Sequence, residues 1–297
     1  MPSLPDADIL HRFLLERSGV RGVLVRLDDT WQSIRQRAAY PPVLAALLGE
    51  TLAATALFTG HAKIEGRLSV QLKGSGALRT VFAECTRDGT LRGLAHWRDP
   101  LPPALTPRHF GEDAMLAITI ESQPQGAREP TRYQGVVGLE TDTLSAAFER
   151  YFVQSEQLPT RLLLSADDTR AVGLMLQLLP GTNADPDAWP RAQALFDTLG
   201  GEELRASSSE TLLYRLFHEE GVRLLQSQSL AFGCSCSRER VGAMLLSLGR
   251  EEAFLALQNE IAEVICEFCN QHYRFDRIDL ELLFAGGGSA PVSNTPQ

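Results

Sequence analysis

The 297-residue sequence has no run of eighteen uninterrupted apolar residues, so it offers no evident transmembrane helix. Its greasiest stretch, PPVLAALLGETLAATALFTG at 41–60, is interrupted by Glu50 and by threonines and reads as a buried helix. Positive charge is not in excess either. Lys and Arg number 28 against 37 Asp and Glu, a net charge of −9, so nothing general draws the chain to nucleic acid or to an anionic membrane. The opening residues MPSLPDADILHRF show no positive stretch followed by an apolar run and a small-residue cleavage site. No secretory signal is therefore expected, and the cytoplasm is the expected compartment. Enzyme motifs are missing as well. Gly74-Ser75-Gly76 is followed by Ala77, Leu78 and Arg79, which leaves out the third glycine of a dinucleotide loop, and there is no P-loop or Gly-x-Ser-x-Gly. His11, His61, His96, His109 and His218 make no two-histidine metal spacing, the Ser207 to Ser209 run reads as a helix cap, and Glu219 and Glu220 read as a solvated helix end. No enzyme is expected.

What is present is ordinary globular composition, 44% hydrophobic and 22% charged, without an internal repeat. From Arg21, RGVLVRL reads as a strand, DDTWQSIRQR as a short helix capped by its aspartates, and the apolar helix follows Pro41-Pro42. Strands then dominate: IEGRLSVQL, LRTVFAECT, LRGLAHW, MLAITIES and RYQGVVGL, with Asp88-Gly89 as a hairpin turn. A helix, TDTLSAAFERYFVQSEQLP, ends before Pro159, and RLLLSA and AVGLMLQLL flank an Asp167-Asp168 turn. Residues 1–180 are thus expected to form an α+β domain, one mixed sheet with helices packed on it.

Residues 181–232 differ in character. Trp189, Ala192, Leu195, Phe196 and Leu199 recur at helical spacing until Gly200-Gly201. Ser207 and Glu210 then make a capping-box pattern ahead of Leu212, Leu213, Leu216 and Phe217, with Gly221 as the stop. This reads as a helical linker whose two apolar stripes must be buried against something. Residues 233–285 form a small carboxy-terminal module, and the Gly-rich, polar tail 286–297 is expected to be disordered.

Cysteine is scarce, five in all, and an odd number argues against a structural disulfide framework. Cys85 sits in a strand and reads as a small buried hydrophobe. The other four are crowded into the module: Cys234, Cys236, Cys266 and Cys269. Two close pairs separated by 29 residues fit a zinc site with one Zn2+ closed by four thiolates, leaving no open position for a nucleophilic water. A module of this size has a small core, so the metal would supply much of its folding energy. His272 is a conceivable substitute ligand, more simply a partly buried polar ring, and Arg238, Arg240 and Arg274 lie near enough to favour thiolate over thiol. Were an oxidant to attack, sequence neighbours would pair first, Cys234 with Cys236 and Cys266 with Cys269, because short loops close most readily. Those disulfides leave the long gap unbridged, so oxidation should melt the module and could expose the stripes upstream. A nucleic-acid-binding zinc ribbon, or a zinc module binding a protein partner without redox gating, is the alternative. Gly233 to Asp276 holds four arginines against seven acidic residues, which does not suit nucleic acid. A thiol oxidoreductase would need its Cys-x-x-Cys at a helix N-terminus, whereas Cys269 precedes Asn270-Gln271 and an extended HYRF.

The stretches RYQGVVGLETDTL (132–144), YFVQSEQLPTR (151–161), LYRLFHEEGV (213–222), FGCSCSRERV (232–241) and CEFCNQHYRF (266–275) resemble the redox-regulated 33 kDa chaperonin (heat shock protein 33) family. The resemblance implies an ATP-independent holdase, active under heat shock and oxidative stress. It would be inactive when reduced with zinc on all four cysteines. Cys266 and Cys269 would be the sensing pair, with Cys234 and Cys236 following. Zinc would then leave, the linker would unfold, and the protein would dimerise and hold unfolding clients. Trp189, Leu195, Phe196, Leu212, Leu216 and Phe217 become candidate client contacts. Some members carry glycine where this chain has Asn270, and both residues tolerate a left-handed turn.

Overall fold

A helix that is apolar on every side has to be covered on every side, and this requirement organises the first of two units, Met1–Gly233. The structure, a computed structural model, describes residues 6–62, 64–122, 131–179 and 185–286. The stretch 180–184 at the start of the expected linker and the tail beyond Gly286 lie outside these described residues. The unit opens with β1 (Ile9–Leu15), β2 (Val20–Leu27), α1 (Asp29–Arg35) and α2 (Pro42–His61). Then come β3 (Gly66–Lys73), β4 (Leu78–Thr86), β5 (Thr90–Trp97), β6 (Met115–Ser122), β7 (Thr131–Gly138) and α3 (Leu144–Tyr151), which runs into a π turn at Phe152–Glu156. β8 (Thr160–Ala166), β9 (Ala171–Leu178), α4 (Ala188–Phe196), α5 (Gly201–Ala206), α6 (Ser209–Phe217), β10 (Val222–Ser229) and β11 (Ala231–Phe232) complete it.

The α+β class is as expected, but the strands divide into two sheets rather than one. One runs β10-β1-β2-β9-β8, the other β11-β5-β4-β3-β6-β7, antiparallel throughout except for the short parallel pair β11 with β5. The division follows from α2, whose residues from Leu47 to Gly60 are buried apart from Glu50. It packs against β2, β8 and β9 of one sheet and β3, β4 and β5 of the other. Its threonines are satisfied within the helix: Thr51, Thr55 and Thr59 donate to the carbonyls of Leu47, Thr51 and Thr55 at 2.8, 2.7 and 2.8 Å. It is long and apolar enough to cross a membrane, and most of it is buried in the protein. Gly22 on β2 is required by a close approach, since a Cβ there would stand 2.0 Å from the ring of Phe13.

The outer face of the five-stranded sheet carries α4, α5 and α6. A second core joins Phe13, Leu15, Val20, Leu24, Val172, Leu174 and Leu176 of the sheet to Ala192, Phe196, Leu204, Leu212, Leu213 and Phe217 of the helices. The stretch expected to be a helical linker is therefore helical only in part. Its end, from Val222, is β10, which pairs antiparallel with β1 from Leu15↔Val222 to Ile9↔Ser229, closing the sheet across more than 200 residues of chain. The cap of α6 is Ser208, whose hydroxyl accepts from Thr211 N, rather than Ser207, which ends α5. Asp28 does not cap α1 with its side chain; the Asp8 carboxylate accepts the N–H groups of Asp28, Asp29 and Thr30 instead.

The second unit, Cys234–Gln297, contains α7 (Arg238–Leu248), α8 (Arg250–Leu255), the hairpin β12 (Ile261–Ile265) with β13 (His272–Asp276), and α9 (Arg277–Gly286). Its core is small: Leu245, Ala253, Ala262, Phe275 and Leu280 are buried, with Val241, Phe254, Leu257, Val264, Tyr273, Leu283 and Phe284 partly covered around them.

Candidate metal centre

An extended segment and a hairpin turn bring the four module cysteines together. Cys234 and Cys236 occupy the extended segment ahead of α7, whose N-cap Ser237 accepts from Arg240 N, while the Arg240 guanidinium donates to Ser235 O at 2.7 Å. Cys266 and Cys269 form the turn of the β12–β13 hairpin. Cys266 O accepts from Asn270 N at 2.8 Å, Cys266 N donates to Gln271 O at 3.0 Å, and Asn270 takes the left-handed conformation, φ 58°, that closes such a turn. The result is four half-buried sulfurs all within 4.8 Å of one another. The nearest approaches run across the two segments, Cys234 Sγ to Cys266 Sγ at 3.7 Å and Cys236 Sγ to Cys269 Sγ at 3.3 Å. Sulfurs at about 2.3 Å from a tetrahedral ion stand about 3.8 Å apart, so the donor set and its spacing suit one zinc ion with little adjustment. No disulfide joins any of the five cysteines.

Burial pushes Cys234 up and Cys269 up to about 12, their shared hydrogen bonds adding to the effect at Cys269. Cys236 goes the other way. Burial opposes its ionisation, but hydrogen bonds from Tyr273 Oη, at 3.1 Å, and from the neighbouring thiols outweigh that and leave it at about 7. Tyr273 is the residue that reading the sequence missed. Its place four residues beyond Cys269 and two before Phe275, hence on the same covered face of β13, is the signal that could have found it. The arginines contribute less than their proximity in sequence promised. Arg238 lies over the Phe275 ring and pairs with Asp279 at 2.7 Å, and Arg274 pairs with Glu263 at 2.7 Å. His272 is exposed rather than partly buried, is paired with Glu263 at 3.1 Å, and stands outside the sulfur cluster.

Elsewhere, Cys85 is buried on β4 and its thiol is pushed up to about 12 by that burial, so it is chemically quiet. Of the candidate client contacts, Phe196, Leu212 and Phe217 lie in the second core, and Trp189, Leu195 and Leu216 pack against it half-buried. The structure brings these six together on one face of the five-stranded sheet.

Comparison with known proteins places this arrangement. Residues 8–276 match the family described as Hsp33 protein. The chain is 44% identical over 291 residues to the 33 kDa chaperonin of Nitrosococcus oceani, covering 98% of this chain and 99% of that one. It is 41% identical to the 33 kDa chaperonin of Chromobacterium violaceum, covering 93% and 94%. Among solved structures, the crystal structure of the 33 kDa chaperonin (Heat shock protein 33 homolog) from Thermotoga maritima matches with a TM-score of 0.78 at 23% identity, covering 94% of this chain and 98% of the other, a likeness of fold.

Proposed function

Since the chain belongs to the Hsp33 family, we propose that it is a chaperone whose holdase activity, independent of ATP, is gated by the oxidation state of Cys234, Cys236, Cys266 and Cys269. The observation that carries the reading is the convergence of four sulfurs within 4.8 Å from two segments 29 residues apart, around a module core of five buried side chains. A Zn2+ held by the four would keep them as thiolates and tie the two segments together. The cysteines themselves carry the chemistry. In the pair Cys266 and Cys269, one thiolate attacks the O–O bond of a peroxide, giving a sulfenic acid and hydroxide. The second thiolate displaces hydroxide from that sulfur and forms the S–S bond, so two electrons pass from the sulfurs to one peroxide. Cys234 and Cys236 follow in the same way.

Both disulfides lie within one segment, so neither reproduces the link between the two. The module loosens, and the chain just ahead of Cys234 loses its anchor. Release of the elements from residue 185 to 232 then presents Trp189, Leu195, Phe196, Leu212, Leu216 and Phe217 to unfolding clients, and the oxidised protein forms a homodimer in the cytoplasm. The test is to load the thiol form with zinc, add peroxide, and follow zinc release with a chromogenic chelator alongside the suppression of citrate synthase aggregation. Zinc loss accompanied by a gain of holdase activity is expected; zinc loss with no gain rejects the gating. A Cys266→Ser, Cys269→Ser variant that still activates on peroxide rejects the assigned sensor pair.

A further inference from the structure

A cavity of about 810 Å³ opens at the carboxyl end of α2, lined by residues of β1, β2 and β10 on one side and by Glu65, Arg87 and Asp88 on the other. Arg12 of β1 and Arg21 of β2 stand in its wall, and His61, the last residue of α2, lies beside them. The acceptors these arginines meet are neutral. Arg12 donates to Gln226 Oε1 at 2.7 Å, and Arg21 donates to Gln177 Oε1 at 3.2 Å and to His61 Nε2 at 2.7 Å. Among the described residues no carboxylate pairs with either guanidinium. Burial lowers the pKa of both, and burial together with Arg21 and Arg12 holds His61 down at about 3, so the imidazole is neutral. With Nε2 accepting from Arg21, its proton sits on Nδ1. That Nδ1 is buried without a hydrogen-bond partner, and so is Arg12 Nε. The wall therefore holds two partly buried positive charges that no described carboxylate balances, and two buried nitrogens, His61 Nδ1 and Arg12 Nε, without an acceptor.

The negative groups nearby do not fill this need. Glu65 faces Arg87 at 3.7 Å, Asp88 lies in the β4–β5 turn, and Glu156 lines an adjoining cavity of about 360 Å³ that Arg21 and His61 also border. The carboxyl end of α2 contributes a partial charge of roughly half a unit, against two full guanidinium charges.

We propose that this cavity binds a phosphate-class oxyanion, held by the guanidiniums of Arg12 and Arg21 and by the Nδ1–H of His61. A planar guanidinium fork suits an oxyanion, two forks suit a dianion, and a buried unpaired donor is costly until an acceptor reaches it. The volume exceeds that of one phosphate group, so the phosphoryl group could arrive free or on a small organic phosphate. The zinc-loaded thiol form of the full chain is titrated with inorganic phosphate, pyrophosphate and glycerol 3-phosphate, against sodium chloride at matched ionic strength, reading thermal midpoint and calorimetric heat.

Saturable binding is expected, at least tenfold weaker in Arg12→Gln and in Arg21→Gln and partly kept in Arg21→Lys. Equal response to the three probes points to free phosphate as the natural occupant, and preference for glycerol 3-phosphate points to an organic phosphate. The His61 ring-nitrogen resonances of the wild type give a readout that needs no variant to fold, and they should shift on phosphate addition. No saturable effect beyond chloride, binding undiminished in Arg21→Gln, or unmoved His61 resonances would each overturn the assignment.

Discussion

Phe217 offers the most direct test of whether the helices on the five-stranded sheet are held there by packing alone. It is the last residue of α6, fully buried, with its ring stacked on Phe13 at 6.3 Å and 28°. Truncating such a phenylalanine to alanine costs about 3–5 kcal/mol, because the lost transfer free energy is joined by that of the cavity left behind. If residues 185–229 open as a unit ahead of the rest, that cost falls on the local opening equilibrium, which rises by roughly two to nearly four orders of magnitude. Amide hydrogen exchange of reduced, zinc-loaded Phe217→Ala, followed by mass spectrometry, should then show faster exchange in α6 and β10 with α2 slow. The same sample should suppress client aggregation without oxidant at temperatures where the wild type does not. Two results refute the reasoning. If α2 and β10 accelerate together, the first unit opens only globally. If α6 and β10 open while the reduced variant still fails to hold clients, these residues are not the client surface.

Removing zinc from the thiol form with a strong chelator should abolish the helical and hairpin structure of residues 234–286 and open them to trypsin. A protease-resistant chelated module would refute the metal dependence, and emission from Trp189, half-buried on the five-stranded sheet, should shift if residues 185–232 are released with it. Tyr273→Phe removes the hydroxyl that donates to Cys236 Sγ, and since such outer partners of metal ligands are worth about 10- to 100-fold in affinity, competition with a chromogenic chelator should show weaker zinc binding by at least tenfold; equal affinity rejects the role. Burial raises Glu50 to about 7 from 4.5, Arg205 pulling partly against it. Between those values the folded state keeps a proton that the unfolded state has lost, so stability falls as pH rises through that window, and Glu50→Gln should remove the fall and gain up to about 3 kcal/mol at pH 8 in urea denaturation.

Much of this was legible because local rules and tertiary demands agree. β2 reads as a strand in RGVLVRL because it is buried on both faces, and α2 reads as a core helix because no polar stripe divides it. The turn that carries Cys266 and Cys269 was also visible, since Asn270 is a residue that accepts the left-handed conformation found there. What failed to show is what depends on distant partners. β10, VRLLQSQS, has little apolar alternation because it is an exposed strand; only its pairing with β1 makes it one. The reading of a single sheet failed for the same reason, as alternation identifies strands but not which of them share hydrogen bonds. At the candidate metal centre, spacing picked out the four cysteines that the fold brings together, whereas the hydroxyl that reaches Cys236 Sγ comes from a tyrosine whose orientation the hairpin register fixes.

The division of labour between the two units can be argued from the size of the crosslink. Joining two points about 30 residues apart restricts the unfolded chain by roughly 3–4 kcal/mol, whereas a disulfide within either segment closes a ring of three or four residues and leaves that long loop open. A folded segment of roughly 50 residues is stable by only about 3–8 kcal/mol on the usual per-residue scale. The link across the segments is therefore worth a large part of what the module has, and its core of five buried residues has little in reserve. The first unit is different: its strands pair across more than 200 residues, and α2 is covered by two sheets, so it owes nothing to the sulfurs. Cys234 directly follows Gly233, whose N–H donates to Leu91 O at 3.0 Å in the last backbone hydrogen bond anchoring β11 to β5. Under the proposed gating, a change of sulfur chemistry would be delivered through one covalent step along the chain to the end of the segment whose apolar stripes are packed on the sheet, so that a four-atom event acquires a consequence for dozens of residues without any long-range field.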